Sequence, residues 1–369
     1  MNQLFRWDQT GLFLLALAAG ILPFAVPEVC AAALREGLTL CSGPLLLSLF
    51  PFLVVSRLLV QCPESDLLAL PFRLAAWGIG IRTPCAARVL CIGFLGGFAP
   101  AASAAAQAVR TGQLTAEEAD VLLPACICSG PSFVVLTVGQ SLLGSAELGV
   151  LLFASQITAN YLTAALLNRF AGVRSVKPGS AAPASPAPPR LDEILADAAI
   201  TYCKLCGFIL FFRMLAAGAG ALLPAGAGTL CAVLLEVCSG CDLASRTGRW
   251  GSLLCCAALS VQGLSVLLQV RTICPPEMTL RPLYRSRLLH LPLSLALFYL
   301  LLPGGEADVF STLPARILLM RRVPPDCALL VFAVCCMAAC TLRSGIRQVE
   351  QKQMARNAGG CCINSKTLL

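Results

Sequence analysis

Long apolar runs without charge recur along the chain, and they set the elements that we expect. Residues 121–143, 148–167 and 252–270 contain no charged side chain. The hydrocarbon core of a bilayer needs roughly 20 mostly apolar residues for one helical crossing. Runs of this length predict transmembrane helices, because a soluble protein would have to bury all of them in one core.

The same pattern predicts eight crossings and two interrupted segments. The crossings are residues 11–31, 42–61, 121–143, 147–168, 198–222, 252–270, 288–303 and 326–342. No small-x-small cleavage site ends the first run, so we interpret it as a membrane helix rather than a signal peptide. Residues 89–109 and 228–241 are apolar but rich in Gly and small residues, which is typical of re-entrant or broken helices.

A Pro-, Ala- and Ser-rich stretch, VKPGSAAPASPAPPR, divides the chain into two halves. Such a sequence does not form a packed element, and its Lys and Arg predict a cytoplasmic linker. The predicted organisation is an N-terminal membrane repeat with an extra first helix (1–168), a basic linker (169–197), a C-terminal membrane repeat (198–303), a final transmembrane helix (304–342) and a basic cytoplasmic tail (343–369).

Composition supports a membrane location and excludes other classes. Charged residues make up 12% of the chain, against about 25% in soluble domains. The net charge of +8 lies mostly in short loops and in the tail, where cytoplasmic Lys and Arg collect, and no basic stripe alternates with aromatics. We therefore predict a multi-pass membrane protein that contacts the lipid bilayer and does not bind nucleic acid.

Enzyme motifs and cofactor motifs are missing from the sequence. No GxSxG, HExxH or Walker sequence occurs, so we predict neither an enzyme nor an ATP-driven pump, and no cofactor. Most of the 21 Cys lie in apolar runs, where a thiol packs as a small hydrophobe. For the pairs Cys203/Cys206 and Cys238/Cys241, both packing and a metal or redox role stay open.

The two halves show the same order of segments with reversed predicted directions. Each half has a crossing, an interrupted segment and two further crossings. The run SGPSFVVLTV (129–138) aligns with VQGLSVLLQV (261–270), and GFLGG (93–97) aligns with LEVCSG (235–240). We therefore predict an all-α polytopic membrane protein with an inverted-topology repeat, the architecture of many secondary transporters.

Four Gly-, Ser- and Pro-containing breaks are the candidate solute site. They are residues 96–100, 128–132, 238–240 and 262–265. A broken helix frees N–H and C=O groups, which only a protein-lined cavity tolerates in a membrane, and a helix N-terminus attracts anions. The predicted substrate-binding residues are Gly96, Gly97, Ser103, Ser129, Gly130, Ser132, Ser239, Gly240, Gln262, Gly263, Ser265 and Gln269. Alternatively, each Ser bonds only to its own helix.

Three further polar residues stand in or beside apolar runs. Arg57 and Arg213 occupy corresponding places in the first crossing of each half. Either Arg extends its guanidinium to the membrane interface, or it faces an anion. We expect His290, the only His, at the interface beside an Arg-rich loop.

Four stretches resemble the YlbJ-type sporulation integral membrane proteins, which carry nucleoside-recognition (gate) domains. They are residues 36–59 with the core LFPF, 93–134, 234–240 and 259–270. The resemblance implies a fold similar to concentrative nucleoside transporters and a role in endospore formation, at the mother-cell-derived forespore membrane. It also implies spore cortex formation and export of dipicolinate. The chain departs from the family pattern at Ser103, where Lys is frequent, and at Asn160 and Leu267, where His is common.

The leading hypothesis is therefore a transporter of a small organic anion that acts in sporulation. A nucleoside-like solute carrier is the alternative within the same class. A non-transporting membrane scaffold, which would recruit sporulation membrane partners or form a homo-oligomer, is the alternative from another class.

Overall fold

The computed structural model describes residues 9–61, 67–171 and 191–302, which form helices joined by short turns, with no strand among them. The predicted all-α class is confirmed. Of the predicted linker at 169–197, residues 172–190 lie outside the described residues, while its first and last residues belong to helices that end at Ala171 and begin at Leu191. The predicted crossing at 326–342 and the tail at 343–369 also lie outside the described residues.

The described helices run in the following order. They are α1 (Gln9–Ala25), α2 (Pro27–Ser42), α3 (Pro44–Gln61), α4 (Leu70–Ile79), α5 (Pro84–Gly96), α6 (Phe98–Arg110), α7 (Ala116–Cys126), a π-helix (Ser132–Leu142), α8 (Ala146–Ala171), α9 (Leu191–Leu222), α10 (Ala225–Leu235), α11 (Val237–Ser245), α12 (Gly251–Val261), α13 (Gly263–Ile273) and α14 (Arg281–Leu301).

Three stretches of the described chain meet the criteria for a membrane span. Ala146–Arg169, Leu191–Leu222 and Gly248–Ile273 are long and apolar enough to cross a bilayer, and the number rises to five if each of two bent helix pairs is one span. The prediction of an all-α membrane protein is therefore supported, while the eight crossings stay a prediction.

Proline and glycine explain the two bent pairs. The predicted first crossing is not one helix, because α1 and α2 meet at 108° before Pro27. A residue before Pro disfavours the helical conformation, and Val26 accordingly leaves it. The helix α4, which the sequence analysis did not predict, ends at Gly80 with a φ of 96° and meets α5 at 107°.

The order of elements repeats in the two halves of the described chain. In the first half, α3 precedes the interrupted pair α5–α6, the interrupted pair of α7 and the π-helix, and the long α8. In the second half, α9 precedes the interrupted pairs α10–α11 and α12–α13, and then α14. Each half thus contains two helices that are broken inside an apolar region.

Small residues let the central helices approach each other closely. The helix α6 contacts α3, α5, α7 and α13, and most of its alanines are fully buried. In membrane proteins such small residues allow backbones to pack tightly, since the lipid gives little hydrophobic driving force between helices. This packing positions the breaks on either side of α6.

Hydrogen bonds at the start of α7 fix the position of this helix. The Thr115 hydroxyl accepts from the Glu118 backbone N–H at 3.1 Å, while Glu118 accepts from the Thr115 N–H, which forms a capping box. The buried Asp120 carboxylate accepts from the backbone N–H groups of Thr279 and Leu280 at 2.9 and 3.0 Å. These contacts tie the broken helix of the first half to the beginning of α14.

Candidate functional site

The first pair of breaks meets at Gly97 and Gly130. Gly97 separates α5 from α6 with φ 80° and ψ −163°, a conformation that is essentially restricted to glycine. A Cβ atom at Gly97 would lie 2.7 Å from the Gly130 nitrogen. The break between α7 and the π-helix, which contains Cys128, Ser129 and Pro131, therefore touches the break between α5 and α6, backbone against backbone.

The second pair of breaks meets in the same manner at Gly263 and Glu236. Gln262 and Gly263 both have positive φ values, 66° and 69°, and separate α12 from α13. A Cβ atom at Gly263 would lie 3.0 Å from the Glu236 nitrogen and 3.0 Å from the Leu235 carbonyl oxygen. The break between α10 and α11 thus contacts the break between α12 and α13.

Three of the four breaks contribute to the wall of one cavity of about 70 Å³, and α13, which follows the fourth break, contributes Val266 and Gln269. Its polar lining comes from Ser129, Ser132, Glu236 and Gln269, while Leu, Phe, Val and Ile side chains from α3, α5, α6, α9 and the broken helices provide the rest. Sites for drug-sized ligands measure about 300–1,000 Å³. In this conformation the cavity therefore has room for a few water molecules, and a larger solute would require the helices to move apart.

Six of the twelve predicted substrate-binding residues line this cavity or lie in the break beside it. Gly96, Ser129, Gly130, Ser132 and Gln269 are in the wall, and Gly97 lies next to Gly130. These residues come from three different segments of the chain. The sequence pattern alone predicted them as one set, and the fold brings them together.

The third break differs from the prediction in position and in chemistry. The chain leaves the helix at Glu236, whereas Gly240 lies inside α11 and packs against Val233 of α10. The Glu236 carboxylate accepts hydrogen bonds from the Cys238 N–H at 2.8 Å and from the Ser239 N–H at 2.7 Å. The N-terminus of α11, which we expected to be open to an anion, is therefore occupied by a carboxylate of the protein itself.

The fourth break has its polar side chains largely bonded within α12 and α13. The Gln262 amide donates to the Leu259 carbonyl at 2.7 Å, and the Gln269 amide donates to the Ser265 hydroxyl at 2.9 Å. The amide oxygens (Oε1) of Gln262 and Gln269 are buried and have no hydrogen-bond partner within the described chain. Because Gln269 is in the cavity wall, its Oε1 is a free acceptor for a solute.

Ser103 lies away from the cavity that the breaks line. Its hydroxyl accepts from the Arg57 Nε at 3.4 Å, and both residues line a second cavity of about 160 Å³ between α3, α6, α9 and α13. Arg57 also forms an ion pair with Asp197 at 2.5 Å, and Arg213 forms one with Glu36 at 2.7 Å. Both arginines are thus paired with a carboxylate of another helix.

Arg287 is a buried residue that the sequence analysis missed. Its guanidinium donates to the Asn160 Oδ1 at 3.1 Å and, over 3.4–3.5 Å, to the carbonyls of Pro124, Ile127 and Ser260. These carbonyls belong to the C-terminal ends of α7 and α12, the negative ends of the helix dipoles. A cation at this point stabilises two broken ends at once.

A periodic signal for this cluster was present in the sequence. Ser286, Arg287, His290 and Ser294 recur at helical spacing and are all buried on one face of α14. The expected interfacial location of His290 is wrong, because the residue is fully buried and its Nε2 lies 3.2 Å from the Gln156 carbonyl oxygen. The predicted start of the crossing at residue 288 is later than the start of α14 and left Arg287 in a loop.

The described cysteines are free thiols, and both CxxC pairs are among them. Within the described ranges, no three His, Cys, Asp or Glu side chains approach one another as metal ligands would. Of the four cysteines, Cys241 is buried and Cys203 is exposed.

No protein-family model matches the chain. No curated protein and no solved structure matches it either.

Proposed function

We propose that the protein is a carrier that moves a small organic anion across a bacterial membrane. The observation that carries this proposal is that four helix breaks meet in two pairs and that three of them line one cavity. Non-helical backbone at membrane depth is tolerated where it is buried in protein or lines a cavity. A scaffold has no need of such breaks, whereas a carrier needs them to expose peptide groups to its solute.

The repeated order of elements supports a carrier as well. The pairs α5–α6 and α10–α11 correspond, as do the pair of α7 and the π-helix and the pair α12–α13. Together with the predicted directions of the crossings, this correspondence favours an inverted-topology repeat, in which the solute site lies where the two halves meet.

We call the cavity between the breaks the central cavity and the second cavity the basic cavity. An anion is the first candidate for the solute because the wall of the basic cavity is mostly cationic. Arg57, Arg110 and Lys204 line that second cavity, against a single acidic residue, Asp197. By the family resemblance, the anion would be similar to dipicolinate and the process would be endospore formation.

A nucleoside-like solute is the second candidate, and Glu236 favours it. The central cavity contains no basic residue, and its polar wall consists of the Glu236 carboxylate, two serines and the Gln269 amide. The carboxylate accepts hydrogen bonds from hydroxyl and amide groups of an uncharged solute, and the serines and the amide can both accept and donate them.

Flux through proteoliposomes tests the proposal. The purified full chain should exchange dipicolinate in counterflow, and uridine should replace it if the second candidate is correct. Ser129→Ala with Ser132→Ala should lower flux at least about tenfold, since two hydrogen bonds to the solute are lost. Ser141→Ala is the matched control, because this exposed hydroxyl bonds only to the Leu136 carbonyl of its own helix.

One outcome would contradict the carrier, and another would contradict only the choice of dipicolinate. The first is the absence of flux for both solutes in a correctly folded preparation, which would favour the scaffold. The second is normal dipicolinate in spores after deletion of the gene in its native spore former, which would end the dipicolinate assignment and leave the carrier class open.

A further inference from the structure

The second cavity has a polar and basic wall. It measures about 160 Å³, and its charged residues are Arg57, Arg110, Lys204 and Asp197, so that three cationic side chains face one carboxylate. Ser103, Thr201 and Thr272 add hydroxyl groups. This wall combines the two features that an anion requires, an excess of positive charge and several hydrogen-bond donors.

Two nitrogens of the Arg57 guanidinium make only long hydrogen bonds inside this cavity. Its bond to Asp197 is short, at 2.5 Å, but its bonds to Ser103 and Thr201 are both 3.4 Å long, beyond the usual range for N–H···O contacts. The Arg57 side chain is 10% exposed, whereas that of Asp197 is 62% exposed and therefore well hydrated. A second anion could thus bind the Arg57 guanidinium without displacing Asp197.

The basic cavity lies about one helical turn away from the central cavity along three shared helices. The pairs of residues that line the central and the basic cavity are Phe98 and Ser103 on α6, Ile209 and Leu205 on α9, and Gln269 and Thr272 on α13. At 1.5 Å of rise per residue, these pairs are separated by roughly 5–8 Å along the helix axes. A solute that leaves one cavity can therefore reach the other by a short movement.

An apolar cluster contributes residues to the walls of both cavities. Leu53, Ala99 and Leu205 are fully or almost fully buried and pack together with Phe98 and Ile273. Leu53 lies between Phe52, in the central wall, and Arg57, in the basic wall. The cluster therefore joins the two walls, since Phe98 lines the central cavity and Leu205 and Ile273 line the basic cavity.

We propose that the basic cavity is a binding site for a carboxylate or phosphate group, and that it is the recognition site for the solute before it enters the central cavity. The proposal rests on the carrier function proposed above. Arg57 binds the anion as a two-pronged donor, and the exposed Lys204 and Arg110 attract it from solvent. The apolar cluster has to open before the solute can pass.

Binding of phthalate, a soluble aromatic dicarboxylate, tests the site without requiring transport. The full chain is placed in nanodiscs of neutral phosphatidylcholine, and titration calorimetry measures the dissociation constant. Arg57→Gln and Lys204→Gln should each weaken binding about tenfold or more, the loss expected for one charge-assisted contact. Arg285→Gln, which changes an exposed arginine of α14 outside both cavities, should leave binding unchanged.

Unchanged phthalate binding in both cavity variants would overturn the site, and so would an absence of binding to the wild type. Because Lys204 is exposed, its variant keeps the test valid even if Arg57→Gln does not fold. The site and the carrier can fail separately. Variant-sensitive binding without flux would leave the site and end the carrier, whereas flux with variant-insensitive binding would do the reverse.

A lipid headgroup carries the same phosphate chemistry, and a second arm distinguishes it from a solute. The titration is repeated in nanodiscs that contain phosphatidylglycerol. A solute site predicts that phthalate still binds and that Lys204→Gln still weakens it. If phthalate binds in neither lipid, while phosphatidylglycerol raises the unfolding midpoint of the wild type and not of Lys204→Gln, the occupant is a lipid and the solute site is wrong.

Discussion

At the scale of single residues, Gly97 meets two requirements that exclude a side chain. Its φ of 80° with ψ −163° is strained for every residue with a Cβ atom, and that atom would lie 2.7 Å from the Gly130 nitrogen. Backbone groups cannot yield as the end of a flexible side chain can. The contact between the first two breaks therefore depends on glycine at this position.

Gly97→Ala should lower the free energy of unfolding by about 2 kcal/mol or more, because backbone strain and overpacking add at this position. The control is Gly207→Ala on α9, where a Cβ atom would meet nothing within 4 Å. Thermal unfolding followed by the reactivity of the buried thiols measures both variants. Equal unfolding midpoints for the two would contradict the close contact at Gly97.

Glu236 is the second residue whose role can be isolated. Glu236→Ala removes the acceptor for the Cys238 and Ser239 N–H groups and should cost about 1–2 kcal/mol, the usual loss for a helix cap. Glu147→Ala removes an exposed carboxylate from the first turn of α8 and should cost less. Thermal unfolding compares them, and a smaller effect at Glu236 would contradict its role as a cap.

At the scale of elements, Gly and Pro made most of the breaks predictable. The breaks at Gly97, at Cys128 to Pro131 and at Gln262–Gly263 lie where these residues interrupt apolar runs. The break at Glu236 was not predictable, because Glu is a good helix former and leaves the helix here through its own hydrogen bonds and its contact with Gly263. Local propensity gave no signal for a break that tertiary packing imposes.

Side-chain partners across elements were harder to predict than the breaks. Arg287 is bonded to atoms from α7, α8 and α12, which are 27 to 163 residues away in sequence. Hydropathy treats an arginine beside a loop as a boundary, and only the fold shows that the carbonyl ends of two broken helices surround it. The separation of Ser103 from the other predicted site residues has the same origin, since it depends on how α3 packs on α6 and on α9.

Arg287→Ala should destabilise the protein by about 2 kcal/mol or more, because Asn160 and three carbonyl groups lose their cationic donor in a buried place. Arg287→Lys should recover only part of this loss, because lysine keeps the positive charge but lacks the planar fork of donors. Arg285→Ala, on the exposed side of α14, should have little effect. Thermal unfolding measures the series, and equal stability of the Arg287 and Arg285 variants would contradict the bridging role.

At the scale of the whole molecule, the direction of each half is the property that decides between carrier and scaffold. The described chain contains three to five segments that meet the criteria for a span, and the predicted crossing at 326–342 lies outside it. Counting spans therefore cannot establish the topology, and labelling from the two sides of the membrane can.

Single cysteines introduced into a cysteine-free chain should label from opposite sides. The predicted topology places the turn before α8 outside and the linker inside. Ala146→Cys should react with a membrane-impermeant maleimide in intact cells, and Ser185→Cys should react only in inverted vesicles. Gel-shift analysis of the labelled chain reads the result, and labelling of both positions from one side would contradict the inverted-topology repeat.

The two contacts between breaks have a mechanical consequence. At Gly97 with Gly130, and at Gly263 with Glu236, main chain lies against main chain and no long side chain interlocks. Rotation about such a point disturbs few packed side chains, whereas sliding elsewhere in the bundle would separate interdigitated ones. We expect any rigid-body motion of the broken helices to pivot at these two points, so that the cavity between them changes its shape while its hinges keep their place.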